Sequence, residues 1–191
     1  MFKKIKLLYL YLFYKKKFGN LGSRVRILGK IHTTNPKAIH IGSKCQIGHY
    51  CRIESFSNYG KQELSPKLII KENTCIEHAV HMYCANSLFI GRGVLIASGC
   101  MITDNNHGIN PEKENYVQQP LMFKETKISD GVWLGENVSV LPGSHIGEKT
   151  IIGANSVVSG SIPPYCIAVG NPAKVIKKYN FQIKSWEKIN D

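Results

Sequence analysis

The sequence lacks a long apolar run, a zinc-type cysteine pairing and a balance of acidic against basic residues. The apolar run at residues 7–14 has eight residues, against the roughly 20 that a membrane-spanning helix requires. No small-residue cleavage site follows this run, so we expect no secretory signal. The six cysteines show no metal-ligand spacing, and nothing in their number implies an oxidising compartment. We therefore expect a reduced, cytoplasmic protein.

The charge of the chain is strongly positive. Lysine and arginine total 25 against 13 acidic residues, which gives a formal net charge of +12. Much of this charge lies in residues 1–18 and in a tail that contains Lys174, Lys177, Lys178, Lys184 and Lys188. A field of this sign favours anionic lipid and phosphate-bearing cofactors or sugars as partners. We expect no nucleic acid binding, because the sequence shows no recognition helix and no sheet of interleaved aromatic and basic residues.

Residues 1–19 combine lysines with the apolar run and are predicted to form a helical segment. Two interpretations of this segment remain open. The helix could cover an exposed sheet edge, either at the end of its own domain or on a neighbouring subunit. Alternatively, residues 1–18 could lie on an anionic membrane, with lysines flanking an aromatic and aliphatic centre. The second interpretation would make the protein peripheral at the inner membrane face.

A six-residue repeat dominates the rest of the chain. Aliphatic residues occupy every sixth position at Ile128, Leu134, Val140, Ile146, Ile152 and Val158. A small or β-branched residue lies four positions after each of the first five, at Val132, Val138, Ser144, Thr150 and Ser156. The same phase occurs earlier, from Ile41 to Ile53, from Ile70 to Met82 and from Ile90 to Ile102. A period of six fits neither a free-standing amphipathic helix nor a hairpin sheet, and a sustained repeat decides the architecture.

The repeat predicts an all-β parallel β-helix. Six residues form one side of a triangular prism, and coils of about eighteen residues stack at the roughly 4.8 Å spacing of strands. The aliphatic residues point inward, and the small residues face inward near a corner. Glycines at 135, 147 and 153 suit the corners because glycine tolerates unusual backbone angles. Cys45, Cys51 and Cys100 occupy the small inward position as compact hydrophobes. The period does not decide the handedness.

Two interruptions break the repeat. Residues 55–67 suit a short loop, whereas residues 103–127 form a longer insertion that contains Asp104, Asn105 and His107 followed by Gly108. An insertion of this length in a regular scaffold is usually functional. A histidine can act as a base near neutral pH, and a nearby carboxylate can hold its ring. We expect the remaining histidines to lie at the surface or at corners, namely His32, His40, His49, His78, His81 and His145.

Several segments resemble a known family when taken in order. These are the Asp104–His107 loop, Val132-Trp133-Leu134-Gly135, the stretch 152–158, Ile162-Pro163-Pro164, and the stretch 169–174 that ends in Gly-Asn-Pro-Ala-Lys. Together they resemble the left-handed β-helix acetyltransferases that transfer acetyl from acetyl-CoA to sugars. The resemblance implies a left-handed coil and a homotrimer with active sites between subunits. It also implies that His107 is the general base, with Asp104 as a candidate to orient it.

The resemblance also implies where acetyl-CoA and the sugar bind. The pantetheine arm would run outside the last coils near Glu136, Ala154, Ser159 and Gly160, with Lys174 and Lys177 near the nucleotide phosphates. A lysine would act there as a point charge. Asn105 and Trp133 are candidates for acceptor binding, although Trp133 could equally pack at the trimer interface. The chain departs from the family at Ser159-Gly160-Ser161, where relatives often carry Thr-Lys-Asp.

The domain organisation follows from these patterns. Residues 1–19 form the N-terminal segment, residues 20–173 the β-helix with its loop 103–127, and residues 174–191 the tail. The spacing of Tyr179, Phe181, Ile183, Trp186 and Ile189 predicts a short amphipathic C-terminal helix that closes the last coil.

The leading function is acetyl-CoA-dependent O-acetyl transfer to a sugar, such as a surface polysaccharide precursor. N-acetyl transfer to a nucleotide-linked amino sugar is the alternative, because the same base and cofactor would serve. Two further classes stay open. A zinc carbonic anhydrase would use three histidines such as His78, His81 and His107, although we expect no metal. A non-catalytic scaffold would not bind acetyl-CoA.

Overall fold

Three sheets run along the sides of a triangular prism in the computed structural model, which describes residues 2–113 and 115–189. The seven-stranded face comprises β1 (Asn20–Leu21), β3 (Ile39–Ile41), β8 (Lys67–Ile70), β11 (Ser87–Ile90), β16 (Thr126–Ile128), β19 (His145–Ile146) and β22 (Ser161–Ile162). The five-stranded face comprises β5 (Arg52–Ser55), β10 (His81–Cys84), β13 (Met101–Thr103), β18 (Ser139–Val140) and β21 (Val157–Val158).

The third side is the nine-stranded face. Its first seven strands are β2 (Arg26–Ile27), β4 (Gln46–Ile47), β9 (Cys75–Ile76), β12 (Leu95–Ile96), β17 (Trp133–Leu134), β20 (Ile151–Ile152) and β23 (Cys166–Val169). It ends with β24 (Lys174–Asn180) and β25 (Ser185–Lys188). All three faces pair in parallel up to β23, so the predicted parallel β-helix is confirmed.

The six-residue repeat sets the register between coils. On the seven-stranded face, Ile90 pairs with Ile128 and Ile128 with Ile146. Each aliphatic position therefore stacks on its equivalent in the next coil, and all six residues of the repeat from Ile128 to Val158 are at most 1% exposed. The predicted small inward positions are buried as well, and the hydroxyl of Ser144 donates to the Val158 carbonyl at 3.0 Å. Burial of this continuous aliphatic column is the main stabilising contribution.

The glycines at the corners have a different cause from the one predicted. Gly135, Gly147 and Gly153 are not among the residues with positive φ; those lie two positions later, at Asn137, Lys149 and Asn155. A Cβ on Gly135 would lie 2.6 Å from the backbone nitrogen of Ala154 in the next coil. Close approach of stacked backbones therefore requires Gly135 and Gly147, whereas a Cβ on Gly153 would meet the Val169 side chain at 2.7 Å. The expectation based on unusual backbone angles was wrong.

The N-terminal helix α1 (Phe2–Lys17) covers the first coil. Leu10, Tyr14 and Phe18 are buried against the aliphatic column. The Tyr14 hydroxyl accepts the backbone N–H of Ile31 at 2.8 Å and lies 3.1 Å from its carbonyl, so one side chain satisfies both backbone groups of the coil end. The capping interpretation of the segment is confirmed. Within the described residues, no helix is both long and apolar enough to span a bilayer.

The predicted C-terminal helix was wrong, because β24 and β25 form an antiparallel hairpin on the edge of β23. Exposure alternates along β24 with a period of two, and Val175 packs against the core. Tyr179 and Trp186 face each other across the hairpin with ring centroids 5.2 Å apart. A strand pairs the free edge of the last coil, which a helix would leave open. Residues 190 and 191 of the predicted tail lie outside the described residues.

Both interruptions of the repeat leave the prism at the same corner, between the five-stranded and seven-stranded faces. The first, after β5, is a hairpin of β6 (Asn58–Tyr59) and β7 (Gln62–Glu63) rather than an irregular loop. The second, after β13, contains β14 (Asn105–Asn106), β15 (Met122–Phe123) and a short 3-10 helix, Tyr116–Gln118. A second 3-10 helix, Pro36–Ala38, precedes β3. One coil separates the two insertions, so their tips meet.

Candidate active site

The two insertions are fastened to each other by direct hydrogen bonds. The side chain of Gln62 accepts the backbone N–H of Leu121 at 2.7 Å and donates to its carbonyl at 3.1 Å. Within the second insertion, the side chain of Gln119 accepts the backbone N–H of Asn110 at 3.0 Å and donates to its carbonyl at 2.8 Å. A Cβ on Gly108 would lie 2.6 Å from the Gln119 side chain. The residue after His107 must therefore be small for the loop to close.

His107 is held by Tyr59 of the first insertion. The Tyr59 hydroxyl lies 3.1 Å from His107 Nδ1, and the ring centroids are 5.5 Å apart. The same hydroxyl donates to the backbone carbonyl of Val117. A carbonyl only accepts hydrogen bonds and a tyrosine hydroxyl has one proton, so this oxygen accepts from His107. Nδ1 of neutral His107 therefore carries the hydrogen, and Nε2 keeps the free lone pair that a base requires.

Asp104 is not brought to His107. Its carboxylate is fully buried and accepts the backbone N–H groups of Ala85, Asn86 and Ser87 at 2.7–2.8 Å. It also accepts from the Asn105 side-chain amide at 2.8 Å. The carboxylate thus ties the start of the insertion to the corner of the preceding coil. In the structure Asp104 supports the loop backbone, and the partner that orients His107 is Tyr59.

A cleft of about 500 Å³ opens beside His107. The lining consists of Arg52, Glu54, Phe56, Tyr59, Tyr83, Met101, Thr103, Asn105, Asn106, His107 and Leu121. Glu54 is the single carboxylate in this lining, and its side chain is 5% exposed. It contacts Nε2 of His32 at 2.8 Å and the Arg52 guanidinium at 3.1 Å. The cleft therefore combines aromatic walls with a carboxylate that is already paired.

The two predicted acceptor-binding residues lie in different places. Asn105 lines the cleft, but its amide is engaged by Asp104 and by the carbonyl of Tyr83. Trp133 projects from the nine-stranded face, where it is 47% exposed beside Leu95, and it does not line the cleft of its own chain. Trp133 and Leu95 instead form an exposed apolar patch on another side of the prism.

The predicted cofactor residues flank the last strands of the five-stranded face. Glu136 and Ala154 occupy equivalent corner positions in successive coils, because the Asn155 N–H donates to the Glu136 carbonyl at 2.8 Å. Ser159 and Gly160 follow β21 and lie on the corner from which the His107 insertion leaves. Two coils separate them from β13, a distance of about 10 Å. A Cβ on Gly160 would meet nothing within 4 Å, so this corner is open to an approaching chain.

The tail lysines lie on β24 and alternate in exposure. Lys174 and Lys178 are exposed, whereas Lys177 is half-buried on the strand that pairs with β23. The preceding segment lies against β21, where the Ala173 N–H donates to the Val157 carbonyl at 2.8 Å. Lys174, the first residue of β24, therefore lies beside the end of the five-stranded face. Lys177 was predicted to share the role of Lys174, but it is less accessible than Lys178.

His78 and His81, considered as zinc ligands from the sequence, contact different partners. His78 accepts the backbone N–H of His49 at 2.9 Å, whereas His81 lies 3.4 Å from the Tyr83 hydroxyl. Across residues 2–113 and 115–189, no three histidine, cysteine or acidic side chains are arranged to hold a metal ion. The six cysteines are free thiols, and burial raises the pKa of Cys100 to about 11.

Sequence reasoning missed Tyr59 and most of the cleft wall. The roles of Arg52, Glu54 and Tyr83 were not predicted, because these residues lie within regular repeats at outward or corner positions. A signal for Tyr59 was present, since both interruptions follow strands at the same phase of the coil and must leave the prism at one corner. That coincidence predicts contact between the insertions, although it does not identify the contacting side chains.

Comparisons with known proteins agree with this architecture. Residues 125–160 match the family described as bacterial transferase hexapeptide (six repeats). The chain is 38% identical over 161 residues to WbbJ of Escherichia coli (strain K12), covering 81% of this chain and 79% of WbbJ. The name of that protein proposes O-acetyl transfer in lipopolysaccharide biosynthesis. The chain is also 34% identical to a Mycobacterium tuberculosis protein named a probable acetyltransferase, and it spans about half of that protein (51%).

Solved structures share the fold. A mutant of AntD, an N-acyltransferase from Bacillus cereus in complex with dTDP and coenzyme A, superposes with a TM-score of 0.73 at 22% identity, covering 90% of this chain and 89% of that one. A hexapeptide-repeat acetyltransferase from Vibrio cholerae in complex with acetyl coenzyme A gives a TM-score of 0.57 at 22% identity, covering 90% and 76%. The stacked register, the His107 insertion and these relationships together show that the chain belongs to the hexapeptide-repeat acetyltransferases, acyltransferases built on an all-β left-handed parallel β-helix.

Proposed function

We propose that this protein is an acetyl-CoA-dependent O-acetyltransferase that acts on a hydroxyl of a sugar, with His107 as its general base. The observation that carries the proposal is the hydrogen bond from His107 Nδ1 to Tyr59, which leaves Nε2 as the basic nitrogen beside the cleft. The relationship to WbbJ supports oxygen as the acceptor atom and a surface polysaccharide precursor as the acceptor class.

The residues of the site suit this reaction. Acetyl-CoA supplies the thioester from which the acetyl group is transferred. His107 Nε2 removes the proton of the acceptor hydroxyl as its oxygen attacks, and returns that proton to the departing sulfur. Tyr59 accepts from Nδ1–H throughout, so it stabilises the imidazolium formed between the two proton transfers. The fixed ring orientation lowers the entropic cost of the attack.

The surface toward the C-terminal end fits acetyl-CoA. The open corner at Ser159 and Gly160 allows an extended chain to approach the backbone on the side of the His107 insertion. Lys174 and Lys178 are exposed near the same end and carry the charge that nucleotide phosphates require. Glu136 and Ala154 lie on the opposite corner of the five-stranded face, so they would contact the cofactor only from its other side.

The cleft favours a hydroxyl over an ammonium as the acceptor. An amino sugar is protonated near neutral pH and is best bound by a free carboxylate. Glu54, the single carboxylate of the lining, is already paired with Arg52 and His32. N-acetyl transfer to a nucleotide-linked amino sugar remains the second candidate, because the AntD fold relationship connects the architecture to N-acyl transfer.

We also propose a homotrimer with the acceptor site completed by a neighbouring chain. Trp133 and Leu95 form an exposed apolar patch that lies away from the His107 cleft of the same chain. An exposed apolar pair of this kind suits an interface, and in the proposed trimer Trp133 would complete a neighbouring chain's cleft. Light scattering of the purified protein should give about three times the 21.4 kDa chain mass; a monomer would contradict the trimer.

The test of function is release of coenzyme A from acetyl-CoA, measured across a panel of saccharides, amino sugars and nucleotide-linked sugars. We expect release only with a hydroxyl acceptor, and a loss of at least about 100-fold in kcat for His107→Ala. His40→Ala, which removes a half-buried histidine from β3 of the seven-stranded face, far from the cofactor corner, serves as the matched control and should retain activity.

Three results would contradict the proposal in different ways. Transfer to amines alone would replace O-transfer by N-transfer. Full activity of His107→Ala would remove the histidine base. A failure of the wild type to bind acetyl-CoA by calorimetry would favour a scaffold over an enzyme.

A further inference from the structure

Helix α1 presents two apolar faces, and only one of them is used by the fold. Leu10, Tyr14 and Phe18, spaced four residues apart, are buried against the first coil. On the opposite side lie Ile5, Leu8, Tyr9, Leu12 and Phe13, which are 38–64% exposed. We name this second set the outer stripe. Its spacing of i, i+3, i+4, i+7 and i+8 is that of a continuous apolar band along a helix.

Lysines border the outer stripe on both sides. At about 100° per residue around the helix axis, Lys15 lies next to Leu8 at one edge of the outer stripe. Lys6 lies next to Phe13 at the other edge. Lys17 lies over the Phe13 ring with its Nζ 4.3 Å from the centroid. The last turn is Lys15, Lys16 and Lys17, all exposed, and the sequence of α1 contains no acidic residue. The helix therefore combines an apolar band with a positive border.

We propose that the outer stripe binds the surface of an anionic lipid bilayer, with α1 lying parallel to it. Apolar side chains at the level of the acyl chains and lysines at the level of the phosphates match the two layers of such a surface. The long lysine side chains can reach the phosphates while their methylene groups stay beside the stripe. A second copy of this chain is the alternative partner for such an apolar band. The lysines near the two ends of the stripe, Lys6 and Lys15–Lys17, favour lipid, because α1 of a second copy contains no acidic residue to pair with them.

This placement keeps both functions of the helix compatible. The capping residues stay in contact with the first coil while the opposite face meets the membrane, so docking requires no opening of the prism. In the proposed trimer, three parallel prisms would present three copies of α1 at the same end, which strengthens weak individual binding. Catalysis at His107 is not needed for binding, so a failure of this proposal leaves the proposed function untouched.

The test uses the full chain and co-sedimentation with vesicles of phosphatidylcholine, with or without phosphatidylglycerol. We expect binding to the anionic vesicles, weakened by salt, and little binding to phosphatidylcholine alone. The double variant Leu8→Gln/Leu12→Gln should reduce binding at least about tenfold. Truncation of residues 1–18 is a poor test, because it also removes Leu10, Tyr14 and Phe18 from the core.

The matched control is Phe181→Gln/Ile183→Gln, which removes two exposed apolar side chains from the opposite end of the prism and should leave binding unchanged. Thermal unfolding of each variant confirms that α1 still caps the coil. The proposal is overturned if the wild type does not sediment with anionic vesicles, or if the Leu8/Leu12 variant binds them as well as the wild type does. It is also overturned if that variant changes the oligomeric mass, which would assign the stripe to a contact between copies.

Discussion

Removal of the Tyr59 hydroxyl isolates its effect on the His107 ring. In Tyr59→Phe, the ring contact with His107 can persist because the aromatic ring is kept. What is lost is the oxygen that accepts from Nδ1–H and donates to the Val117 carbonyl. Nδ1 then has no protein acceptor at this position, and the neutral imidazole can move its hydrogen to Nε2, which would leave the lone pair on Nδ1 rather than on the nitrogen beside the cleft.

The expected size of the effect follows from the exposure of this hydrogen bond. Water can replace the hydroxyl at the surface, so the net loss is about 0.5–1.5 kcal/mol. A loss of this size reduces kcat about 2- to 12-fold, far less than removal of the imidazole itself. The acceptor KM should change little, because the Tyr59 hydroxyl is engaged by His107 and the Val117 carbonyl, and the aromatic ring that lines the cleft is kept.

Nitrogen-15 NMR of histidine-labelled protein reports the tautomer directly. Comparison with a His107→Gln spectrum identifies the His107 signals among the seven histidines. We expect a protonated Nδ1 and an unprotonated Nε2 in the wild type at a pH where the ring is neutral, and a mixture in Tyr59→Phe. Tyr116→Phe is the control, because Tyr116 lies in the insertion that carries His107. A predominantly Nε2–H tautomer in the wild type, or unchanged kcat and tautomer in Tyr59→Phe, would refute the assignment.

Four further outcomes are expected. Asp104→Asn should lower the free energy of unfolding by about 2–4 kcal/mol in urea, because its amide group faces backbone N–H donors; a normal stability with an altered pH–rate profile would return Asp104 to catalysis. Gly135→Ala should cost about 1–3 kcal/mol, since its methyl group would lie 2.6 Å from a backbone nitrogen of the next coil, and unchanged thermal stability would contradict that. Lys174→Ala/Lys178→Ala should weaken coenzyme A binding by about tenfold and flatten its salt dependence in calorimetry; equal affinity would remove these lysines from the site. The raised pKa of Cys75, about 11, leaves ~0.1% thiolate at pH 8, so native protein should react slowly with a thiol reagent and denatured protein rapidly.

The repeat and the main insertion were predictable from sequence because their physical causes are local. Each coil contacts mainly its neighbours, so the inward aliphatic positions follow directly from spacing. The insertion at His107 was visible as an interruption of that spacing. The C-terminal tail was not predictable in the same way, since the spacing of Tyr179 and Trp186 is compatible with a helix. The free edge of β23 decides in favour of a strand.

The assignments within the site failed where they relied on proximity in sequence. Asp104 is three residues from His107, yet its carboxylate is directed to the backbone of the previous coil. Tyr59 is 48 residues from His107 and forms the hydrogen bond that Asp104 was expected to make. Nearness along the chain was therefore the wrong guide to which group orients His107.

The sequence by itself determined the prism, its inward positions and the loop that carries His107, because a period of six imposes stacking between adjacent coils wherever it is maintained. Only the tertiary structure decided which groups surround His107 and which face of α1 stays free. The surroundings of His107 depend on two insertions that leave the same corner of the prism one coil apart. The free face of α1 depends on how the other face of the helix packs on the first coil. Contacts of that kind join segments with no shared periodicity, so they become visible only when the coils are stacked.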